Sequence, residues 1–145
     1  MSQERNDVEA AVQGLLDALQ SPEAPVRLSA AQGLAERGAE ARAAVGALLQ
    51  TSLHDDDPAV RLAAAVALAR IDRREKAVIP LLIRALKEGD DGRRWIAADC
   101  LAEIGPVARE AVPVLEELLT DPGRPPLVRH SFEVALRRLT PERDD

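Results

Sequence analysis

Few residues in this sequence could support catalysis or metal binding by type and spacing. The two histidines are His54 and His130, and His54 directly precedes Asp55, Asp56 and Asp57. Imidazole and carboxylate groups are metal ligands, but the side chains of adjacent residues do not all point to one centre. Carboxylates are also common in helix-capping turns. We therefore interpret this cluster as a capping turn and expect no metal site.

The single cysteine, Cys100, excludes an internal disulfide and a zinc site built from cysteines. A cysteine nucleophile needs a nearby base, and the sequence offers none close to Cys100, so we expect a small buried thiol. The chain also lacks a G-x-S-x-G motif, a phosphate-binding loop and a glycine-rich dinucleotide motif. We therefore expect no catalytic residues and no cofactor, and we predict that the protein is not an enzyme.

A row of regularly spaced arginines could grip phosphates. Its members are Arg27, Arg61, Arg94 and Arg129. The formal net charge of −6 disfavours nucleic acid as a partner, since phosphate binding depends on an excess of Lys and Arg. We therefore expect these arginines to contact backbone carbonyls or acidic side chains of neighbouring turns, such as Glu23, Asp57, Asp90 or Asp91.

The arginines belong to an internal repeat. Four segments superimpose without a gap, with starts 34, 33 and 35 residues apart: residues 26–38, 60–72, 93–105 and 128–140. Each segment has Arg one place after its start and Leu eight places after it. Such a register over four segments indicates true repetition of one structural unit.

Each repeat is predicted to contain two helices. Apolar residues at helical spacing precede each segment, as in residues 12–19, and turns rich in Ser, Asp, Pro and Gly separate the two patterns. Asp57 before Pro58 fits a helix N-cap followed by proline at the first helical position. Gly38 and Gly105 fall where a helix end favours a left-handed residue.

The string V-R-x-x-A-A-x-A-L-x-x-I-G, following a V-x-x-L-L helix, resembles the HEAT repeat. It is most similar to the short bacterial HEAT-like repeats of phycobilin lyase relatives. The resemblance implies an all-α, armadillo-like fold, a right-handed α-solenoid of four antiparallel helix pairs. A single domain would span residues 1–145, with repeats at about 8–38, 41–72, 76–105 and 108–140.

The resemblance also places the second helix of each repeat on a concave face. Helical phase then selects the outward-facing residues, and we predict that these bind a partner: Leu28, Leu62, Val66, Trp95, Ile96, Asp99, His130 and Val134. Exposed apolar residues in a row typically mark an interaction site. The sequence therefore predicts a scaffold that takes a protein or peptide on its concave face, with Asp99, Glu36 and Glu103 favouring basic partners.

Other functions are left open by the same resemblance. Phycobilin lyase relatives suggest a subunit that binds or transfers a tetrapyrrole, and HEAT-like DNA glycosylases suggest nucleic-acid binding. Homo-oligomerisation through the apolar row is a further alternative.

The location of the protein is predicted from its apolar segments. Residues 1–12 lack the basic start and apolar stretch of a signal peptide. The longest apolar run, residues 62–69, is much shorter than the ~20 residues that a membrane-spanning helix requires. We therefore expect a cytoplasmic protein with no membrane partner.

Overall fold

The computed structural model describes residues 2–73 and 75–141, and throughout these ranges the ordered elements are helical. The α-helices are α1 (Ser2–Ala18), α2 (Ala24–Arg37), α3 (Val45–His54), α4 (Pro58–Asp72), α5 (Glu75–Glu88), α6 (Asp91–Ile104), α7 (Val112–Leu118) and α8 (Pro126–Leu139). Two short 3₁₀ helices, Gly38–Ala44 and Gly105–Ala111, precede α3 and α7. The predicted all-α solenoid class is confirmed, whereas its handedness and the number of antiparallel pairs stay predictions.

The chain divides into two compact units, Met1–Arg74 (unit 1) and Glu75–Asp145 (unit 2). Each unit contains two α-helices, a 3₁₀ helix and two further α-helices, in that order. In unit 1, α2 packs on both α1 and α4, and α3 packs on α4; in unit 2, α6 packs on both α5 and α8, and α7 packs on α8. The four repeat boundaries and the single-domain organisation stay predictions.

Small residues bring the helices close together within each unit. Helix α4 buries Ala64, Ala65 and Ala67 completely, so neighbouring backbones can approach closely. The largest fully buried side chain is Phe132 of α8 in unit 2. Alanine is therefore the commonest residue of the core, which has one large ring where α8 has Phe132.

The two 3₁₀ helices have nearly the same backbone geometry. Gly38 and Gly105 begin them with φ values of 56° and 83°, which confirms the predicted glycine positions at the ends of α2 and α6. Ala41 (φ −93°, ψ 20°) and Ala108 (φ −91°, ψ 21°) then bend the backbone before α3 and α7. Because the bend recurs in separate units, the local sequence specifies it.

Asp57 caps α4 as predicted. Its Oδ1 accepts hydrogen bonds from the backbone N–H groups of Ala59 (2.8 Å) and Val60 (3.3 Å), and Pro58 begins the helix. Asp90 similarly caps α6 by accepting a hydrogen bond from the N–H of Arg93 at 2.9 Å. These caps satisfy backbone donors that a helix start otherwise leaves unpaired.

Candidate functional site

In unit 2, α6 contacts both α8 and the turn before α8. Ser131 Oγ of α8 donates a hydrogen bond to Asp99 Oδ1 of α6 at 3.3 Å. Near the start of both helices, Arg124 Nη1 donates to Asp91 Oδ1 at 2.6 Å. Asp91 precedes Asp99 along the chain, and their partners Arg124 and Ser131 follow in the same order. Helices α6 and α8 therefore run side by side in the same direction.

Between these two contacts the helix pair exposes large apolar side chains. Trp95 lies one turn before Asp99, and Leu127 lies one turn before Ser131; residues four apart share a helix face. Trp95 and Leu127 are 45% and 72% exposed, and Ile96 is 47% exposed. Trp95 and Leu127 therefore lie at the same level of the pair, and Ile96 follows Trp95 on the exposed side of α6.

Three further predicted residues extend this surface toward the ends of the helices. Asp99 and His130 are exposed, and Val134 is half-buried. We use the term α6–α8 face for the whole set, which consists of Trp95, Ile96, Asp99, Leu127, His130 and Val134.

Leu127 was missed by the sequence analysis, although it is the most exposed large apolar residue of this face. It stands one place before the fourth repeated segment, where the other segments have Pro25, Ala59 and Gly92. A leucine directly after the pair Pro125 and Pro126 was the sequence signal that could have indicated it. Helix α8 begins at Pro126, so Leu127 lies in its first turn.

The family model described as HEAT repeats matches residues 12–95 and residues 45–137. Together the two matches cover most of the chain. The chain belongs to the HEAT repeat family. HEAT repeats commonly serve as protein-interaction scaffolds, and the family is typically non-enzymatic. No curated protein matches this HEAT-repeat chain.

The predicted binding row of this HEAT-repeat protein is less exposed in unit 1. Leu28 on α2 and Val66 on α4 are half-buried. Leu62 is only 5% exposed, so its predicted position on an exposed surface is wrong. Helix α4 packs against both α2 and α3, and these neighbours cover more of it than the helical phase of α4 alone indicates. The placement of the row on a concave face stays a prediction.

The arginine row has the predicted kind of partners. Arg27 Nε donates to Asp55 Oδ2 at 2.8 Å and its Nη2 donates to Asp55 Oδ1 at 3.1 Å. Arg61 Nη1 donates to the carbonyl of Asp55 at 2.6 Å. The expected contacts of these arginines are confirmed, with Asp55 rather than Asp57 as the acidic partner.

The corresponding arginines of unit 2 bind backbone carbonyls. Arg94 Nε donates to the carbonyl of Leu86 at 2.8 Å, and Arg129 Nη1 donates to the carbonyls of Leu119 (3.1 Å) and Asp121 (2.9 Å). A guanidinium held in this way stabilises the turn before its own helix. These contacts favour a structural role for the row over phosphate binding.

The ion pair between Arg27 and Asp55 shifts the pKa values of both groups. Burial alone would raise the pKa of Asp55, but the hydrogen bonds from Arg27 and from the N–H of Asp57 outweigh it and lower that pKa below its ordinary value. The hydrogen bond to Asp55 raises the pKa of Arg27. Asp55 is therefore a charged group that the folded state stabilises.

The candidates for chemistry occupy structural positions. Asp55 binds Arg27, and Asp57 caps α4. His54 is exposed at the end of α3. Within residues 2–73 and 75–141, no group of three or more His, Cys, Asp or Glu side chains is arranged to hold a metal ion. Cys100 is 3% exposed, which confirms its predicted burial.

A helix that crosses a bilayer needs about 20 consecutive, predominantly apolar residues. Among the helices of the described residues, none combines the length and the apolar character needed to cross a membrane.

Proposed function

We propose that this protein is a non-enzymatic scaffold that binds another protein through the α6–α8 face. The observation that carries the proposal is the exposure of Trp95, Ile96 and Leu127 on one helix pair. Exposed apolar groups of this size are typical of interaction sites, and tryptophan is the residue type most enriched among interface hot spots. The common role of HEAT repeats in protein interactions supports the same function.

The face has a rigid support beneath it. Ala97, Ala98 and Leu101 of α6 are fully buried, as are Phe132 and Ala135 of α8. A face built on packed helices is ordered before binding, so little conformational entropy is lost when a partner docks.

Arg124 adds a clamp at the base of the face. Its guanidinium lies 5.7 Å from the centre of the Phe132 ring and binds Asp91, while its side chain is 10% exposed. A cation over an aromatic ring and a short ion pair together hold the turn before α8 against α6. This arrangement fixes the position of Leu127, which follows closely in the first turn of α8.

The proposal is tested by affinity purification from the native host with wild type, Trp95→Ala and Leu53→Ala. Leu53 of α3 is 48% exposed and lies in unit 1, so its substitution controls for the general loss of an exposed apolar side chain. We expect a partner retained by wild type and Leu53→Ala, and a loss of affinity for Trp95→Ala of about 2 kcal/mol, or roughly thirtyfold. Equal affinity of all three proteins would refute the proposal.

Self-association is distinguished by sedimentation at a series of protein concentrations. A dimer that forms in wild type and not in Trp95→Ala would identify a second copy of the chain as the partner. If wild type is a monomer at all concentrations, the partner of the face is a different protein.

A further inference from the structure

We infer that the partner segment docking on the α6–α8 face is a basic amphipathic helix, with its Lys or Arg residues lying toward the C-terminal end of α6. This inference rests on the proposed function and adds the chemistry of the partner. The order of apolar and charged residues along α6 supports it.

The exposed side of α6 changes character along its length. From the N-terminal end its exposed members are Gly92, Trp95, Ile96, Asp99 and Glu103. Two large apolar residues come first and two carboxylates follow, with no Lys or Arg among them. The C-terminal end of a helix also carries partial negative charge, which adds to the attraction for a cation there.

The arginines nearest the apolar part of the face are directed to partners within unit 2. Arg94 and Arg129 donate to backbone carbonyls, and Arg124 donates to Asp91. Their side chains are at most half-exposed and are held by these bonds. They therefore do little to neutralise Asp99 for an approaching partner.

The remaining charges of α8 are mixed. Glu133 is exposed, but it lies two residues after Ser131 and therefore on the side of α8 turned away from α6. Arg137 and Arg138 are exposed in the last turn, about 9 Å or more along the helix axis from Ser131, which is level with Asp99. Their effect is therefore smaller at Asp99 than at Glu103, which lies one turn nearer to them, so the preference for a cation is assigned to Asp99.

The spacing of the exposed residues fits a helical partner. Trp95, Asp99 and Glu103 recur once per turn over about 12 Å of α6, and Leu127 provides a second apolar wall on α8. A partner helix lying along α6 has the same pitch, so when its residue i lies opposite Trp95 its residue i+4 lies level with Asp99. This is helix-in-groove recognition with a charged end that sets the direction of the partner.

The test uses the emission of Trp95, the only tryptophan in a chain without tyrosine. Three synthetic helical peptides share leucines at i−3 and i and carry Lys, Gln or Glu at i+4. We expect the Lys peptide to shift Trp95 emission to the blue and to bind about tenfold tighter than the Glu peptide at low salt, with the difference shrinking at about 1 M salt.

Substitutions of the protein check that Asp99 produces the preference. Asp99→Lys should weaken binding of the Lys peptide about threefold to tenfold and strengthen binding of the Glu peptide. Ser131→Ala is the matched control, since it removes the hydrogen bond to Asp99 and leaves the carboxylate in place. It should keep the wild-type preference.

The outcomes separate this inference from the proposed function. Equal binding of the three peptides would overturn the basic-helix inference and leave the docking function intact. If no peptide changes Trp95 emission at millimolar concentration, the inference is also overturned. The proposed function then depends on whether native-host purification yields a partner that requires Trp95, and it falls if none is found.

Discussion

Arg27 and Asp55 form a two-point ion pair that ties the start of α2 to the turn before α4. The Nε–Oδ2 and Nη2–Oδ1 distances are 2.8 and 3.1 Å, and the two side chains are 15% and 8% exposed. Asp55 Oδ1 also accepts a hydrogen bond from the N–H of Asp57 at 2.9 Å. The carboxylate of Asp55 thus organises its own turn and binds that turn to α2.

Removing this carboxylate should destabilise the protein. We expect Asp55→Ala to lower the free energy of unfolding by about 1–2 kcal/mol, because it removes the carboxylate that accepts hydrogen bonds from the half-buried guanidinium of Arg27 and from the N–H of Asp57. Urea unfolding of Asp55→Ala, Arg27→Ala and the double variant measures the effect. The double variant should cost less than the sum of the single ones, and strict additivity would show that the pair is not coupled.

The same pair should make stability depend on pH. The pKa of Asp55 is lowered in the folded state, so its contribution is fully present above the ordinary aspartate pKa of about 3.9 and is lost as pH falls through the folded pKa. The difference in unfolding free energy between wild type and Asp55→Asn should therefore shrink below about pH 4. The exposed neighbour Asp56, changed to Asn, is the control and should give a much smaller difference. A constant difference for Asp55→Asn down to pH 2 would contradict this origin.

The sequence has one Phe and one Trp, and these two aromatic side chains should differ sharply in their effect on folding. Phe132→Ala empties a fully buried site and should cost about 3–5 kcal/mol. Trp95→Ala removes a side chain that is nearly half exposed and should cost less than about 1 kcal/mol. Urea unfolding of both variants checks the contrast, and a large loss for Trp95→Ala would make Trp95 a folding residue.

Two glycine-to-alanine substitutions in unit 1 should have opposite signs. Gly38 has φ 56° and ψ −132°, a conformation that alanine adopts only with strain, so Gly38→Ala should cost about 1–3 kcal/mol. Gly14 lies inside α1, where an added Cβ meets open space, so Gly14→Ala should stabilise by up to about 1 kcal/mol. Thermal unfolding of the two variants measures both effects. Equal changes would show that the conformation of Gly38 is not required.

Burial should make Cys100 slow to react and intolerant of larger side chains. We expect a thiol reagent to label it slowly in the native state and rapidly in urea. Cys100→Leu should cost about 1–3 kcal/mol through overpacking, whereas Cys100→Ala should cost about 1 kcal/mol or less. Rapid native labelling would instead mean that the site opens readily.

The sequence by itself determined the features that depend on a few neighbouring residues. The N-cap at Asp57, the glycine-ended helices at Gly38 and Gly105, and the arginines bound to nearby turns were all predicted and are confirmed. Each is specified by backbone conformation or by groups a few positions away, so the repeat pattern carries the necessary information.

The tertiary structure decided which surfaces are covered and which partner each charge finds. Leu62 and Trp95 occupy equivalent places in their repeats, yet one is buried and the other exposed. Leu127 became part of the candidate face because α8 lies beside α6 at the level of Trp95, and Arg27 took Asp55 of a different turn as its acidic partner. The area covered on a helix depends on the position of its neighbours, which helical phase within one segment does not contain.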